Sequence, residues 1–306
     1  MIKIDFIVHG GSSFLGKSFI KFIESRKSIL VIARRNSDLS SIENLSNLYI
    51  YRYEDILSTQ IVLNKFDFSS SIFFEFSWNG VFGSERNDIN QFKVNIPLII
   101  SSVEFANYLN CKHWVGVGSQ AEYGNYNETI NEDYICMPKT LYGKSKLYCS
   151  KIAYELCSHY NMNFSWLRLF SVYGPDDGEN WLIPYLINKM LSHETVDTTL
   201  GEQVWDYLYI DDVSKAFSKI NINEPLGIVN LSSATEIKIK DLINTIKKLT
   251  NSKSTINFGA IEYRKDQVMY MNGNNAKLKY KLNWSPEISL EFGLLQTIKN
   301  IRKLNG

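Results

Sequence analysis

Cysteine is scarce in this chain, with only Cys111, Cys136, Cys149 and Cys157 among 306 residues. They form no C-x-x-C pair and no spacing suited to zinc, which argues against a disulfide framework and a structural metal site. Reduced structural thiols in a cytoplasmic protein are what this usage predicts, with Cys149 and Cys157 on one expected helix. Charge of one sign is also missing, since 33 basic residues face 32 acidic ones for a formal net charge of +1. No global field draws such a chain to nucleic acid or to an anionic membrane, so any anion it binds must be held by local groups. Long apolar runs are absent as well. No stretch reaches the roughly 18 residues that span a bilayer, and the opening "IKIDFIV" is too short for a signal segment and is interrupted by Lys3 and Asp5. The expectation is a soluble protein whose 44% hydrophobic content fills one large domain or two smaller ones sharing a cleft.

What is present is alternation. Short β-branched or aromatic runs, "IDFIV", "SILVIAR", "SSIFFEFS" and "KHWVGVGS", are separated by amphipathic segments such as "FLGKSFIKFIESR". This order predicts an α/β fold with a doubly wound parallel sheet, its nearly continuous apolar strands covered on both faces. After "WLRLFSVYGP" (Trp166 to Pro175) the rhythm becomes irregular, so a soft boundary falls near Gly174. Residues 1–174 read as a dinucleotide-binding domain and 175–306 as a smaller mixed α/β substrate lobe, with room for the chain to cross back. The end, "SPEISLEFGLLQTIKNIRKL", reads as a capped helix with Leu290, Leu294, Ile298 and Ile301 on one face.

The segment "VHGGSSFLG" (Val8 to Gly16) follows the first strand and opens a helix. There, backbone N–H groups and the positive end of the helix dipole would face a pyrophosphate. Gly10 would allow the tight turn and Gly16 the close packing of helix on strand. Ser13 stands where a central glycine would be expected. A negative φ would cost it little, and its hydroxyl could donate to a phosphate oxygen. On its own the segment fits an ordinary glycine turn equally well. A second test lies at the end of the next strand, where an acid about 20 positions on suits the 2′-hydroxyl of NAD and an arginine suits the 2′-phosphate of NADP. The chain supplies Arg34 and Arg35 and no acid until Asp38. A surface arginine pair is commonly just solvated, but this one falls where NADP(H) would need it, with NAD(H) the other option.

In "GSQAEYG…PKTLYGKSK" (Gly118 to Lys146), Tyr142 and Lys146 are four residues apart on an expected helix and share a face. An ammonium beside a phenol favours the phenolate, which lets a tyrosine exchange a proton near neutral pH. Ser119, at the end of the preceding strand, could bond the same substrate oxygen. The pattern alone also fits an exposed aromatic and lysine on a solvated helix. The order of features carries more: phosphate turn, arginine pair, strand ending in serine, then tyrosine and lysine.

That order resembles the extended short-chain dehydrogenase/reductases, the nucleotide-sugar epimerases, dehydratases and reductases, over nearly the whole chain. "FEFSWNG", Asn95 in "FKVNIPLI", "RLFSVYGP" with Ser171 where asparagine is common, "GEQVWDYLYIDDVSKAF" and "LNWSPEISLEFGL" each resemble family segments. The resemblance implies a Rossmann fold with Ser119, Tyr142 and Lys146 catalytic. It implies cofactor contacts at Gly10, Ser12, Ser13, Phe14, Leu15, Gly16, Arg34, Arg35, Asp55, Ser77 and Asn95, with Tyr142 and Lys146 also touching the cofactor. A nucleotide-diphosphate sugar would lie between the lobes near Gln120. Trp205 stands where many relatives have a diphosphate-binding arginine, so Arg264 could take that duty, or be a loop charge, while Trp205 stacks on the base or packs the lobe. A homodimer through the helices around Ile99 to Tyr108 and Tyr142 to His159 is likewise implied. His9 and His113 read as packed strand residues.

Departures bear on the reaction. Sugar dehydratases of the family carry an adjacent Asp-Glu pair just after the serine or threonine, whereas this chain has Gln120 and Ala121. Glu122 comes one place later and, if the strand continues, points to the other face. Dehydration is therefore not expected. The leading expectation is an NADPH-dependent 4-ketoreductase of a nucleotide-diphosphate 4-keto-6-deoxyhexose, in deoxysugar and surface-polysaccharide synthesis, with Tyr142 as proton donor. The arginine pair favours net reduction, because epimerases retain NAD and recycle the hydride. A 4-epimerase is the alternative. A non-catalytic NADP(H) sensor is disfavoured by the intact Tyr142 and Lys146.

Overall fold

A computed structural model describes residues 1–23, 25–54, 65–264 and 267–305. Seven parallel strands form its main sheet. In chain order they are β1 (Phe6–His9), β2 (Ile29–Arg34), β3 (Leu48–Tyr53), β4 (Ile72–Glu75), β5 (His113–Ser119), β6 (Asn163–Leu169) and, much later, Gly227–Leu231. From one edge to the other the order is β3-β2-β1-β4-β5-β6, closed by Gly227–Leu231. The chain winds outward from β1 in one direction and from β4 in the other. A crevice therefore opens between the carboxyl ends of β1 and β4, where such sheets bind ligands.

The sheet is buried on both faces because its strands carry apolar residues without a polar side. On one face α1 (Phe14–Ile23) packs with the later helix Ile210–Ser218, where Phe19, Phe74, Phe76 and Phe217 meet at ring-centroid distances of 4.7 to 6.0 Å. On the other, α2 (Asn95–Tyr108) and α3 (Leu141–His159) cover Trp114 and Trp166, which stack 6.2 Å apart. Both tryptophans are fully buried, a large apolar contribution to this layer.

Residues beyond 174 are not confined to one lobe: Gly227–Leu231 completes the main sheet beside β6, and Ile210–Ser218 covers it. The remainder builds a small sheet around Val204–Tyr209, which pairs with Ser171–Tyr173, Glu236–Lys238 and Tyr270–Met271. The final helix, Leu290–Asn305, starts behind Ser289, whose hydroxyl accepts the Phe292 N–H at 3.3 Å. Leu294 and Ile298 are buried, and Leu290 and Ile301 pack against the same core, as the spacing predicts. All four cysteines are free thiols, three of them buried. Among the described residues no helix is long and apolar enough to cross a membrane, and no cluster of ligating side chains could hold a metal.

Candidate active site

The glycine turn lies at the crevice. Gly10 has φ +82°, and a Cβ there would sit 2.5 Å from the Ser77 backbone nitrogen at the end of β4. A Cβ on Gly16 would fall 2.3 Å from the Gly10 carbonyl, so both glycines are required to bring helix and strand this close. Ser13 is not among the residues of positive φ, and it caps α1: its Oγ accepts from the Gly16 N–H at 3.1 Å, and its own N–H donates to the Gly10 carbonyl at 2.9 Å. The expected phosphate donor is thus first a helix cap. Phe14 and Leu15 pack their side chains on the core, while their N–H groups, at the open helix terminus, have no acceptor among the described residues. These geometries, a cradle closed to any Cβ and free N–H groups at a helix N-terminus, fit a dinucleotide pyrophosphate.

Next to the turn, Ser12, Arg34, Arg35, Asn36, Ser37, Tyr53 and Glu54 line a cleft of about 550 Å³. The expected arginine pair is split. Arg35 pairs with Glu54 at 2.6 Å, whereas the guanidinium of the exposed Arg34 makes no hydrogen bond or ion pair with a described residue. Arg52, which the sequence did not single out, donates to the carbonyls of Arg35 and Ser37 at 2.9 and 2.8 Å and so fixes the loop. Asp55 lies outside the described residues.

His9 is buried, as expected of a strand residue, but it is not merely packed. It stands opposite Glu75 in the β1/β4 register, bonds its carboxylate at 2.7 Å through Nδ1, and meets the Tyr53 hydroxyl through Nε2 at 2.5 Å. Glu75 in turn accepts the N–H of Ser77 at 2.8 Å and its hydroxyl. Ser77 is thereby fixed against the turn. Asn95 is buried and clasps Asn79, accepting its N–H at 2.8 Å and donating to its carbonyl at 3.0 Å. His113 bonds Ser165 at 2.7 Å, and burial pulls its imidazole down to about 4, so it is neutral and remote from any proton transfer.

The expected catalytic residues meet where β5 ends and α3 begins. Ser119 is extended, and its Oγ accepts the Ala121 N–H at 3.2 Å. Thr140 caps α3 by accepting the Gly143 N–H at 3.1 Å. A Cβ on Gly143 would lie 2.3 Å from the Ala121 carbonyl, so the helix presses directly on the turn after Ser119. Tyr142 and Lys146 are both buried on the face that results. Burial pushes the Tyr142 phenol up; the Arg86 guanidinium and the Ser119 hydroxyl oppose that rise, and Glu122 adds to it.

Lys146 does not reach toward the phenol as expected. Its Nζ donates to the Val117 carbonyl at 2.7 Å and lies 3.5 Å from the centre of the Trp78 ring, against 5.9 Å from that of Tyr142. Burial pulls its ammonium down to about 7, with Cys149, Glu122 and Glu75 acting the other way. Trp78 also meets Tyr142 edge-on at 6.1 Å and donates its indole N–H to Gln91 at 3.1 Å.

The strand does not continue to Glu122. Residues Gln120–Glu122 form a 3₁₀ turn that is a capping box, with the Glu122 carboxylate accepting the Ser119 N–H at 2.9 Å. Glu122 is fully buried and also accepts from Trp166 and Arg168 at 2.9 and 2.8 Å. It is structural, and Gln120 and Ala121 stand half-buried above it.

Across the mouth, Phe82, Gly83, Ser84 and Glu85 face Gly178, Asn180 and Trp181 over a cleft of about 510 Å³, and Phe82 meets Trp181 edge-on at 5.3 Å. Trp205 is half-buried, donates its indole N–H to the Val268 carbonyl at 2.9 Å and packs between core clusters. Arg264 is exposed and its guanidinium bonds no described residue. The residues missed by the sequence reading are Arg86, Trp78, Gln91, Glu75 and Arg52. Only the Q-x-x-x-N spacing of Gln91 and Asn95, whose side chains bond at 3.1 Å, carried a local signal.

Comparison with known proteins places these features. The chain is 32% identical over 219 residues to CDP-abequose synthase of Salmonella muenchen, covering 70% of this chain and 71% of the relative. It is 24% identical over 320 residues to dTDP-4-dehydro-6-deoxyglucose reductase of Escherichia coli, covering 97% of each. The solved UDP-glucose 4-epimerase of Thermotoga maritima, with UDP-glucose, shares the fold at a TM-score of 0.84 and 23% identity, covering 99% of this chain and 100% of that one. A family model described as NAD dependent epimerase/dehydratase matches residues 6–231, and the chain belongs to that family.

Proposed function

We propose that this chain is an NADPH-dependent 4-ketoreductase acting on a nucleotide-diphosphate 4-keto-6-deoxyhexose. The observation that carries the reading is the buried Tyr142, at the start of a helix pressed against the turn after Ser119, where the Glu122 carboxylate is locked in the core. Gln120 and Ala121 cannot relay a proton, and Arg168 holds the Glu122 carboxylate in the core. The site can therefore protonate an oxygen but lacks the pair that removes water. The two relatives named above, one called a reductase of a 4-dehydro sugar, support the same reaction class.

When bound, the reduced nicotinamide supplies a hydride to the carbonyl carbon. Tyr142 donates its phenolic proton to the carbonyl oxygen, and Ser119 donates a hydrogen bond to that oxygen and orients it. Lys146 would hold the nicotinamide ribose. The N–H groups of Phe14 and Leu15 would hold the pyrophosphate. Arg34, at the end of β2 and with its guanidinium bonded to no described residue, supports a preference for NADP(H) over NAD(H). In this reading residues 1–174 hold the cofactor, and residues 175–306, apart from the segments that return to the main sheet, hold the nucleotide sugar, with Arg264, whose guanidinium bonds no described residue, meeting its diphosphate. Exposed Tyr108, Tyr148 and Tyr154 on α2 and α3 suit the helices to a homodimer.

The test is turnover of CDP-, dTDP-, GDP- and UDP-linked 4-keto sugars, followed by the near-ultraviolet absorbance of the reduced cofactor. One equivalent consumed per sugar, faster with NADPH than NADH, is expected. Isomerisation of an unoxidised sugar with no cofactor consumed would replace this reading with 4-epimerisation.

A further inference from the structure

The geometry points to Arg86 as a second cation that tunes the Tyr142 phenol, a positioning role that the Tyr142/Lys146 spacing alone assigns to Lys146. This rests on Tyr142 being the proton donor. Arg86 lies on the 3₁₀ turn Gly83–Asn87, and its guanidinium carbon is 4.4 Å from the centre of the Tyr142 ring. The Lys146 nitrogen is 5.9 Å from the same point, and its charge faces the Val117 carbonyl and the Trp78 ring instead. The Arg86 guanidinium makes no hydrogen bond or ion pair with a described residue, and the ring it faces is that of Tyr142.

Its position is built rather than incidental. Asn87 accepts the N–H of Leu141, the residue before Tyr142, at 3.2 Å, which ties the turn to the start of α3. Gln91 donates to the Glu85 carbonyl at 3.1 Å and to that of Gly80, while accepting from Trp78 and Asn95. This buried glutamine thus holds Trp78 against Lys146 and the Arg86 turn against Tyr142. The charged groups facing the phenol are Arg86 from this turn, Lys146 from its own helix and Glu122 from the turn after β5, the last balanced by Arg168.

During reduction the Tyr142 O–H bond breaks, a new O–H bond forms on the sugar oxygen, and the electron pair remains on the phenol as phenolate until solvent returns a proton. A guanidinium over the ring favours that phenolate and makes Tyr142 a better acid. Arg86→Gln is expected to raise the Tyr142 ionisation by about one pH unit, read by tyrosine ring-carbon NMR against Tyr142→Phe in cofactor-free protein. The basic limb of kcat/KM should move up with it, because the donor must be protonated, and kcat near neutrality should fall about tenfold with KM nearly unchanged. Arg86→Lys should recover part of both. Unmoved ionisation and pH profile in Arg86→Gln, or a loss wholly in KM, would overturn the assignment. If Tyr142→Phe turns over normally, the reaction reading itself fails; if it is inactive while Arg86→Gln has an unmoved profile, only the role of Arg86 fails.

Discussion

The two sides of the crevice are built from different materials. The cofactor side, from Gly10 to Gly16, is shaped by backbone: two glycines that no other residue can replace, a helix terminus, and a serine that acts as a cap. The reaction side is shaped by side chains, with buried Tyr142, Lys146 and Ser119 and half-buried Trp78 and Arg86 in one cluster. Backbone sites tolerate any residue of the right φ and size, so the missing central glycine costs nothing once Ser13 has a negative φ. Side-chain sites depend on each neighbour's charge and reach, so a substitution there alters chemistry before it alters structure.

That contrast can be broken from either side. Tyr142→Phe should lower kcat by about a thousandfold with little change in melting temperature, the range expected for loss of a general acid. Gly10→Ala should do the reverse. Positive φ costs an alanine roughly 1–2 kcal/mol, and its Cβ would meet the Ser77 backbone, so both thermal stability and cofactor affinity should fall, the latter by at least about tenfold. Arg34→Ala should weaken NADPH about tenfold and leave NADH unchanged, measured by fluorescence titration. An equal loss for both cofactors would show that Arg34 does not face a 2′-phosphate. Ser13→Gly should be the mildest, costing a few tenths of a kcal/mol as one cap replaces another, with near-normal NADPH affinity. A large gain in affinity would show that the serine is a handicap.

The same contrast explains what the sequence disclosed. Gly10 and Gly16 are legible because a turn and a close helix approach demand them locally, and Tyr142 and Lys146 because four residues on a helix share a face. The alternating strands likewise announced the parallel sheet. Glu122 was misjudged by extending the strand, although S-x-x-E from Ser119 to Glu122 is the spacing of a capping box. The His9 and Glu75 pair, 66 residues apart, arises only from the register of β1 beside β4. Arg86 carried no local signal, because its approach to Tyr142 is made by Asn87 and Gln91 across separate elements. Lys146 is legible as a site residue but its contacts are not, since Trp78 belongs to the loop after a different strand.

The central claim is that this fold reduces a ketone rather than inverting an alcohol. The most direct measurement uses reduced cofactor carrying deuterium at the transferred position with a 4-keto nucleotide sugar. The account predicts one deuterium at C4 of the product and one equivalent of oxidised cofactor released. A product without the label, formed by isomerisation while the cofactor pool stays reduced, would contradict it.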